Sequence, residues 1–166
     1  VSYGLLLIWY AFGWKRLPAF IPSAPISGRT RVTVIIPARD EEANLPPLLA
    51  ALQSQTYPAD LLEVIVIDDF STDNTAQVVR SFPASNIKLL RLSDQLDITQ
   101  RLNSYKKKAI EMAIGQASGQ LIVTTDADCV MGVRWIETLV QFYEARRPKF
   151  IAAPVSFYRE TNFFKI

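Results

Sequence analysis

Three short acidic segments, each following a run of aliphatic residues, hold most of the side chains that can do chemistry. Val32 to Ile36 is followed by Pro37-Ala38-Arg39-Asp40-Glu41-Glu42, Val64 to Ile67 by Asp68-Asp69-Phe70-Ser71, and Leu121 to Thr125 by Asp126-Ala127-Asp128. Carboxylates gathered at one place repel each other unless a cation joins them. Oxygen-rich sites without imidazole or thiolate suit Mg²⁺ or Mn²⁺, and these ions keep positions open for phosphate oxygens. The pattern predicts a divalent cation and a diphosphate-bearing ligand. Asp126 and Asp128, one residue apart in an extended segment, are expected to point the same way and share one cation. Asp68-Asp69 closes a buried run, where a carboxylate pair is costly without partners. Lys106, Lys107 and Lys108 stand at a helix start, where cations oppose the helix dipole, so at least one needs an anionic partner. Asp73 reads as a capping residue, and Glu41 and Glu42 suit either a helix start or the site.

Composition removes other chemistries. The 166 residues contain no histidine, which excludes a Ser-His-Asp triad, a Cys-His pair and His-ligated zinc within this chain. Cys129, the one cysteine, allows no internal disulfide and has no histidine to activate it, so it reads as a packing residue. Eighteen basic against sixteen acidic residues leave a formal charge of +2, which gives no reason to expect a nucleic-acid partner. The glycines lie at 4, 13, 28, 115, 119 and 132, and none follows the first strand to build a phosphate-cradling loop.

Alternating apolar runs and helical periodicities must position these groups. From Arg31 onward the pattern predicts βαβ units around a mostly parallel, buried sheet. Strands are expected at Val32 to Ile36, stopped by Pro37, then at Val64 to Ile67, Ile87 to Leu92, Leu121 to Thr125 and Phe150 to Val155. Helices are expected around Leu45, Leu48, Leu49 and Leu52 (about four turns), around Val78, Val79 and Phe82, over Lys106 to Ala117, and from Trp135 through Tyr143. In such sheets ligands bind beyond the carboxyl ends of the strands, which is where the acidic segments fall. Ahead of this unit, residues 1–14 form an uncharged apolar and aromatic run, and residues 15–31 a linker marked by Pro18, Pro22, Pro25 and Gly28. A helix of that length spans ~20 Å, short of a ~30 Å hydrocarbon core, so the run reads as the end of a longer span or a membrane-proximal helix. Lys15, Arg16, Arg29 and Arg31 give it a positive, cytoplasmic flank.

Taken together, Val32-Thr33-Val34-Ile35-Ile36-Pro37-Ala38-Arg39-Asp40-Glu41-Glu42, Glu63 to Thr75 with its Asp68-Asp69-Phe70-Ser71-Thr72-Asp73 core, and Lys106-Lys107 ahead of Thr124-Thr125-Asp126-Ala127-Asp128 resemble the family 2 glycosyltransferases in order and interval. The resemblance covers residues 32 to about 158. It implies an A-type, Rossmann-like nucleotide-binding half and an inverting transferase that uses a nucleotide-diphosphate sugar, uridine-based by expectation, with Mn²⁺ or Mg²⁺. On the same resemblance Pro37, Ala38, Arg39 and Glu41 border the nucleotide, Asp69 bonds the base with Asp68 beside it, and Lys106 or Lys107 approaches the phosphates. Tyr105 replaces the glycine that the family places before that lysine. Asp126 faces the ribose or sugar, and Asp128 holds the metal.

The family supplies its catalytic base as an Asp downstream of the metal motif, and here only Glu137, Glu144 and Glu160 follow Asp128. The expectation is a donor-binding half, residues 32–166, whose base lies beyond Ile166 and whose fragment transfers no sugar to its glycan or lipid acceptor. The rival readings are a non-catalytic, membrane-anchored nucleotide-sugar-binding module and a phospho-receiver domain. The receiver would place its acidic pair after the first strand rather than the second.

Overall fold

The computed structural model describes residues 2–22, 30–95 and 105–155. Its centre is a parallel sheet of four strands, β1 (Val32–Ala38), β2 (Leu62–Asp68), β3 (Ile87–Arg91) and β4 (Leu121–Thr124), in the order β3-β2-β1-β4. Val34 pairs with Val64 on one side and with Val123 on the other, so β1 is covered along both edges. Helices α2 (Leu45–Gln53), α3 (Thr75–Ser81), α4 (Tyr105–Gln116) and α5 (Trp135–Arg146) supply the layers, and α1 (Ser2–Lys15) precedes them. Alternation along the strands divides the core in two. Val32, Val34, Ile36, Val64 and Val66 pack with Leu45, Leu48 and Leu49 of α2, Val79 of α3, and Ile136 and Val140 of α5. Ile35, Ile65 and Ile67 face Ala109 and Ala113 of α4, whose small side chains let the helix lie close.

β1 runs through Pro37 rather than stopping there. Ile35 accepts from Thr125 N–H toward β4 while Ala38 accepts from Asp69 N–H toward β2, so Pro37 faces the β4 side. β4 pairs with β1 only as far as Ile35, and the missing proline donor has no ladder bond to lose there. α2 is nine residues long rather than four turns, because Pro46 and Pro47 occupy its first turn and Ser54 Oγ turns back onto Ala50 and Ala51 carbonyls at its end. β3 ends at Arg91, as Leu92 opens a 3₁₀ turn. The strand expected over Phe150 to Val155 does not form: 151–155 joins no sheet, Pro154 removes a donor, and Phe150 and Val155 face solvent. The linker residues Pro25, Gly28 and Arg29, and Glu160, lie outside the described residues.

At the amino edge of the sheet Gly119 approaches β1 so closely that an added Cβ would sit 2.5 Å from Thr33 N, which leaves glycine as the residue that fits. Its own N–H donates to Thr33 Oγ1 at 2.9 Å. Residues 3–14 of α1 carry no charge and are exposed. Its 14 residues rise ~21 Å, and among the described residues no helix is long and apolar enough to cross a membrane.

Candidate active site

From β1 the chain crosses to β2 and β3 on one side, and β4 lies on the other. The order therefore reverses at β1, and the crevice beyond the carboxyl ends of β1 and β4 is the topological switch point where open α/β sheets hold ligands. Asp68 and Asp69 end β2 and Asp126 to Asp128 follow β4, so the two acidic groups flank the end of β1 at a separation of about 10 Å, two strand spacings.

The β2 group is buried. Asp68 is 2% exposed; its Oδ1 accepts from Ser71 N–H at 2.9 Å and its Oδ2 from Arg91 Nε at 3.3 Å. Asp69 is 8% exposed, and its Oδ1 is a buried acceptor with no hydrogen-bond partner among the described residues. Burial pushes the Asp69 carboxyl above the usual carboxylate range, Arg39 opposes that rise, and Asp68 adds to it. Arg39 and Asp68 thus act electrostatically on Asp69, while Ala38 is buried and Pro37 half-buried at the end of β1.

A reciprocal hydrogen-bonded clamp fixes the loop after β1 against the loop after β2. Asp40 N–H donates to Ser71 Oγ at 3.1 Å, Glu41 N–H to Thr75 Oγ1 at 2.8 Å, and Glu42 N–H to Asp73 Oδ2 at 3.1 Å. In return Asp40 Oδ1 accepts from Thr72 N–H at 2.7 Å, and Glu42 Oε2 accepts from Asn74 N–H at 2.9 Å. Asp73 also receives both the N–H and the hydroxyl of Thr75, the first residue of α3, but it stands one residue ahead of Asn74, the N-cap, so it braces the helix start rather than capping it as expected. The slight burial of Asp73 works against ionisation, but the bonds from Thr75 and Glu42 outweigh it and hold this carboxyl below its ordinary value. Asp40 and Phe70 carry positive φ of 55° and 56°, one in each loop. Glu41 turns its carboxylate to Asn44 Nδ2 at 2.6 Å. Sequence reasoning missed this clamp and the Arg91 partner of Asp68; the evenly spaced Ser71, Asp73 and Thr75 were the available signal.

The β4 group is open to solvent. Asp126 and Asp128 are not an extended pair: Cys129 N–H bonds Asp126 C=O at 3.3 Å, closing a turn that buries Ala127 and leaves both carboxylates exposed. Lys106, in the first turn of α4, places its Nζ 2.7 Å from Asp126 Oδ1, and both side chains are about 60% exposed. This is the anionic partner that the helix-start lysines require. Lys107 is exposed beside it. Tyr105 stacks edge-on against Phe70 at 5.6 Å and so ties α4 to the loop after β2. Among the described residues no group of three ligating side chains forms a self-sufficient metal site. A hard divalent ion needs only one or two carboxylates when phosphates and water complete its shell, and Asp126 with Asp128 fits that partial set. The later carboxylates lie elsewhere. Glu137 accepts from Thr56 Oγ1 at 2.7 Å and Glu144 from Thr30 Oγ1 at 2.7 Å, both on segments that lead into the amino ends of strands. Bonds from Thr56 and Arg134 hold the Glu137 carboxyl below its ordinary value, which makes it a poor proton acceptor.

Residues 33–165 match glycosyl transferase family 2. The chain belongs to this family. It is 34% identical over 108 residues to the glycosyltransferase AglE of Haloferax volcanii, an alignment that covers 64% of this chain and 33% of that protein. It is 31% identical over 135 residues to a 4,4'-diaponeurosporenoate glycosyltransferase of Staphylococcus aureus, covering 81% of this chain and 34% of the relative. Among solved structures it is similar to the mannosyltransferase PcManGT of Pyrobaculum calidifontis in complex with GDP-Man and Mn²⁺, at 32% identity and a TM-score of 0.63, over 84% of this chain and 39% of that one. S. aureus TarS 1-349 shares the fold at 24% identity and a TM-score of 0.61, over 78% of this chain and 40% of that one. The chain therefore spans about a third of the length of the curated relatives it matches. Family membership also retires the phospho-receiver reading.

Proposed function

We propose that this chain forms the donor half of an inverting, divalent-cation-dependent glycosyltransferase that passes sugar from a nucleoside diphosphate to a glycan or lipid acceptor. The observation that carries this reading is Asp69 Oδ1, a buried acceptor left open beside the switch point. A base that offers an N–H satisfies it, and N3–H of uracil and N1–H of guanine do so from a ring nitrogen, whereas cytosine and adenine offer only their exocyclic amino groups. The GDP-Man and Mn²⁺ bound to PcManGT support the donor class and the metal. In this reading Arg39 and the clamped loops border the nucleoside, Lys106 places positive charge beside the diphosphate, and Asp126 and Asp128 hold the cation. A bound Mn²⁺ or Mg²⁺ supplies Lewis-acid neutralisation of the departing diphosphate. Inversion also needs a base for the acceptor hydroxyl, and Glu137 and Glu144 do not serve because their bonds hold them toward the other edge of the sheet.

The membrane placement belongs to the same proposal: α1, with Lys15 and Arg16 at its end, anchors the domain at the cytoplasmic face of a membrane. Calorimetry of UDP and GDP against ADP and CDP, with and without chelator, tests the donor reading. Tight binding of UDP or GDP only with metal is expected, and equal affinity in chelator would overturn the metal role. Asp128→Ala is expected to remove the metal dependence.

A further inference from the structure

Both edges of the sheet hold acidic and basic groups, but carboxylates outnumber cations at the carboxyl edge and a cluster of cations without ion-pair partners among the described residues stands at the other. The carboxyl edge carries the acidic donor groups. At the opposite edge α5 ends in Arg146, followed by Arg147 and Lys149, all exposed and without a carboxylate partner among the described residues. Arg147 rests over the Tyr143 ring at 5.8 Å. Two contacts place this basic end. Glu144 is bonded to Thr30, two residues before β1, which puts the last turn of α5 at the amino edge. Phe20 packs edge-on against Phe142 at 5.1 Å, which ties the segment after α1 to the same stretch of α5, one turn from Arg146. Apolar side chains stand free around the basic cluster, Phe150 at 83%, Ile21 at 77% and Leu17 at 62% exposure.

We infer that this amino edge lies on an anionic lipid surface, with Arg146, Arg147 and Lys149 against the headgroups and Phe150 dipping among them. The inference rests on the membrane reading of α1 and adds a second contact, made by the folded domain itself, that sets its orientation. Interleaved cations and exposed apolar groups are what a charged bilayer interface rewards. The acidic donor edge is repelled by the same surface, so both ends of the domain favour one pose. The seven residues of β1 hold the donor edge about 20 Å from the surface, roughly two Debye lengths at physiological salt. The lipid charge is screened there and does not compete with the diphosphate for cations.

Co-sedimentation of the whole chain with vesicles of phosphatidylcholine alone, and of phosphatidylcholine mixed with phosphatidylglycerol, tests this. The triple variant Arg146→Gln, Arg147→Gln, Lys149→Gln is expected to lose about a hundredfold of its preference for the mixed vesicles, at about fivefold per side chain. Its binding to neutral vesicles, driven by α1, stays unchanged. Lys108→Gln, in the first turn of α4 at the opposite edge, is the matched control and is expected to leave the preference intact. A triple variant that keeps the full anionic preference overturns the second contact while leaving α1 as an anchor. Failure of the unaltered chain to bind either vesicle overturns the membrane reading itself, and this inference with it.

Discussion

Asp69 is a residue whose environment suits a ligand better than it suits the free chain. Its carboxylate is buried with one oxygen open, and the folded state therefore favours the protonated acid more than the unfolded chain does. A carboxyl raised in this way lends the fold stability that grows as pH falls from the raised value through the ordinary 3.8, and lends none above it. Base recognition has the opposite sign, because an N–H edge needs the ionised acceptor. Uridine or guanosine affinity is expected to decline on acidification from a higher pH than an ordinary carboxylate would give. Asp69→Ala should remove that pH dependence and weaken nucleoside binding about tenfold to a hundredfold, the worth of a hydrogen bond to a charged group. Titration calorimetry with the nucleoside alone reads both effects without metal or phosphate. An unchanged affinity would remove Asp69 from the base subsite.

Two loops, rather than any helix or strand, set the geometry of the donor edge, and their clamp is testable at one residue of unusual backbone. Asp40 sits at φ 55° and accepts from Thr72 N–H and Oγ1. Asparagine tolerates that φ and keeps an acceptor, glycine keeps only the φ, and alanine keeps neither. Thermal stability is expected in the order Asp40→Asn, Asp40→Gly, Asp40→Ala, with about 1–2 kcal/mol between first and last. Equal melting temperatures for the three would show that the clamp contributes nothing. A second element-level prediction concerns Gly119, where a Cβ meets β1 backbone at 2.5 Å. Gly119→Ala is expected to cost roughly 1–3 kcal/mol in denaturant unfolding, since the obstacle is main chain and cannot rotate away. The strands and the acidic strand ends are legible in the sequence because β-branched runs report burial and because Asp68-Asp69 and Asp126-Ala127-Asp128 are unusual after such runs. The clamp is not legible in the same way. Its partners, such as Asp40 and Thr72, lie in separate segments, and only the parallel pairing of β1 with β2 makes them neighbours. The absent strand after α5 misled for a different reason: the apolar run there carries Pro154 and turns Phe150 and Val155 to solvent, so its hydrophobicity does not report burial.

At the scale of the whole domain, one carboxylate joins three strands and the segment that leads into the fourth. Glu63, on β2, accepts from Thr33 Oγ1 of β1 at 2.6 Å, from Lys88 Nζ of β3 at 2.6 Å, and from Ser118 N–H, just before β4, at 2.9 Å. Nothing in the sequence marks it out, because a lone glutamate at a strand start reads as a solvated edge residue. Partial burial works against its ionisation, yet the bonds from Lys88, Ser118 and Thr33 outweigh burial and bring its carboxyl down from 4.5 to about 2. A carboxyl lowered on folding contributes stability that is fully present above its unfolded value and is lost as pH falls through its folded one. The window is therefore pH 4.5 down to about 2, and it lies at the amino edge, far from the donor groups. Neutralising the side chain removes the effect: Glu63→Gln is expected to be less stable than the parent at neutral pH by on the order of 2 kcal/mol. The difference should shrink toward zero as both proteins are acidified, because the parent's Glu63 then carries no charge either. Urea unfolding at a series of pH values, with the two curves compared point by point, checks this. Parallel curves across the window would show that Lys88 and Ser118 draw no stability from the charge on Glu63, and that strand pairing and core packing alone hold the amino edge together.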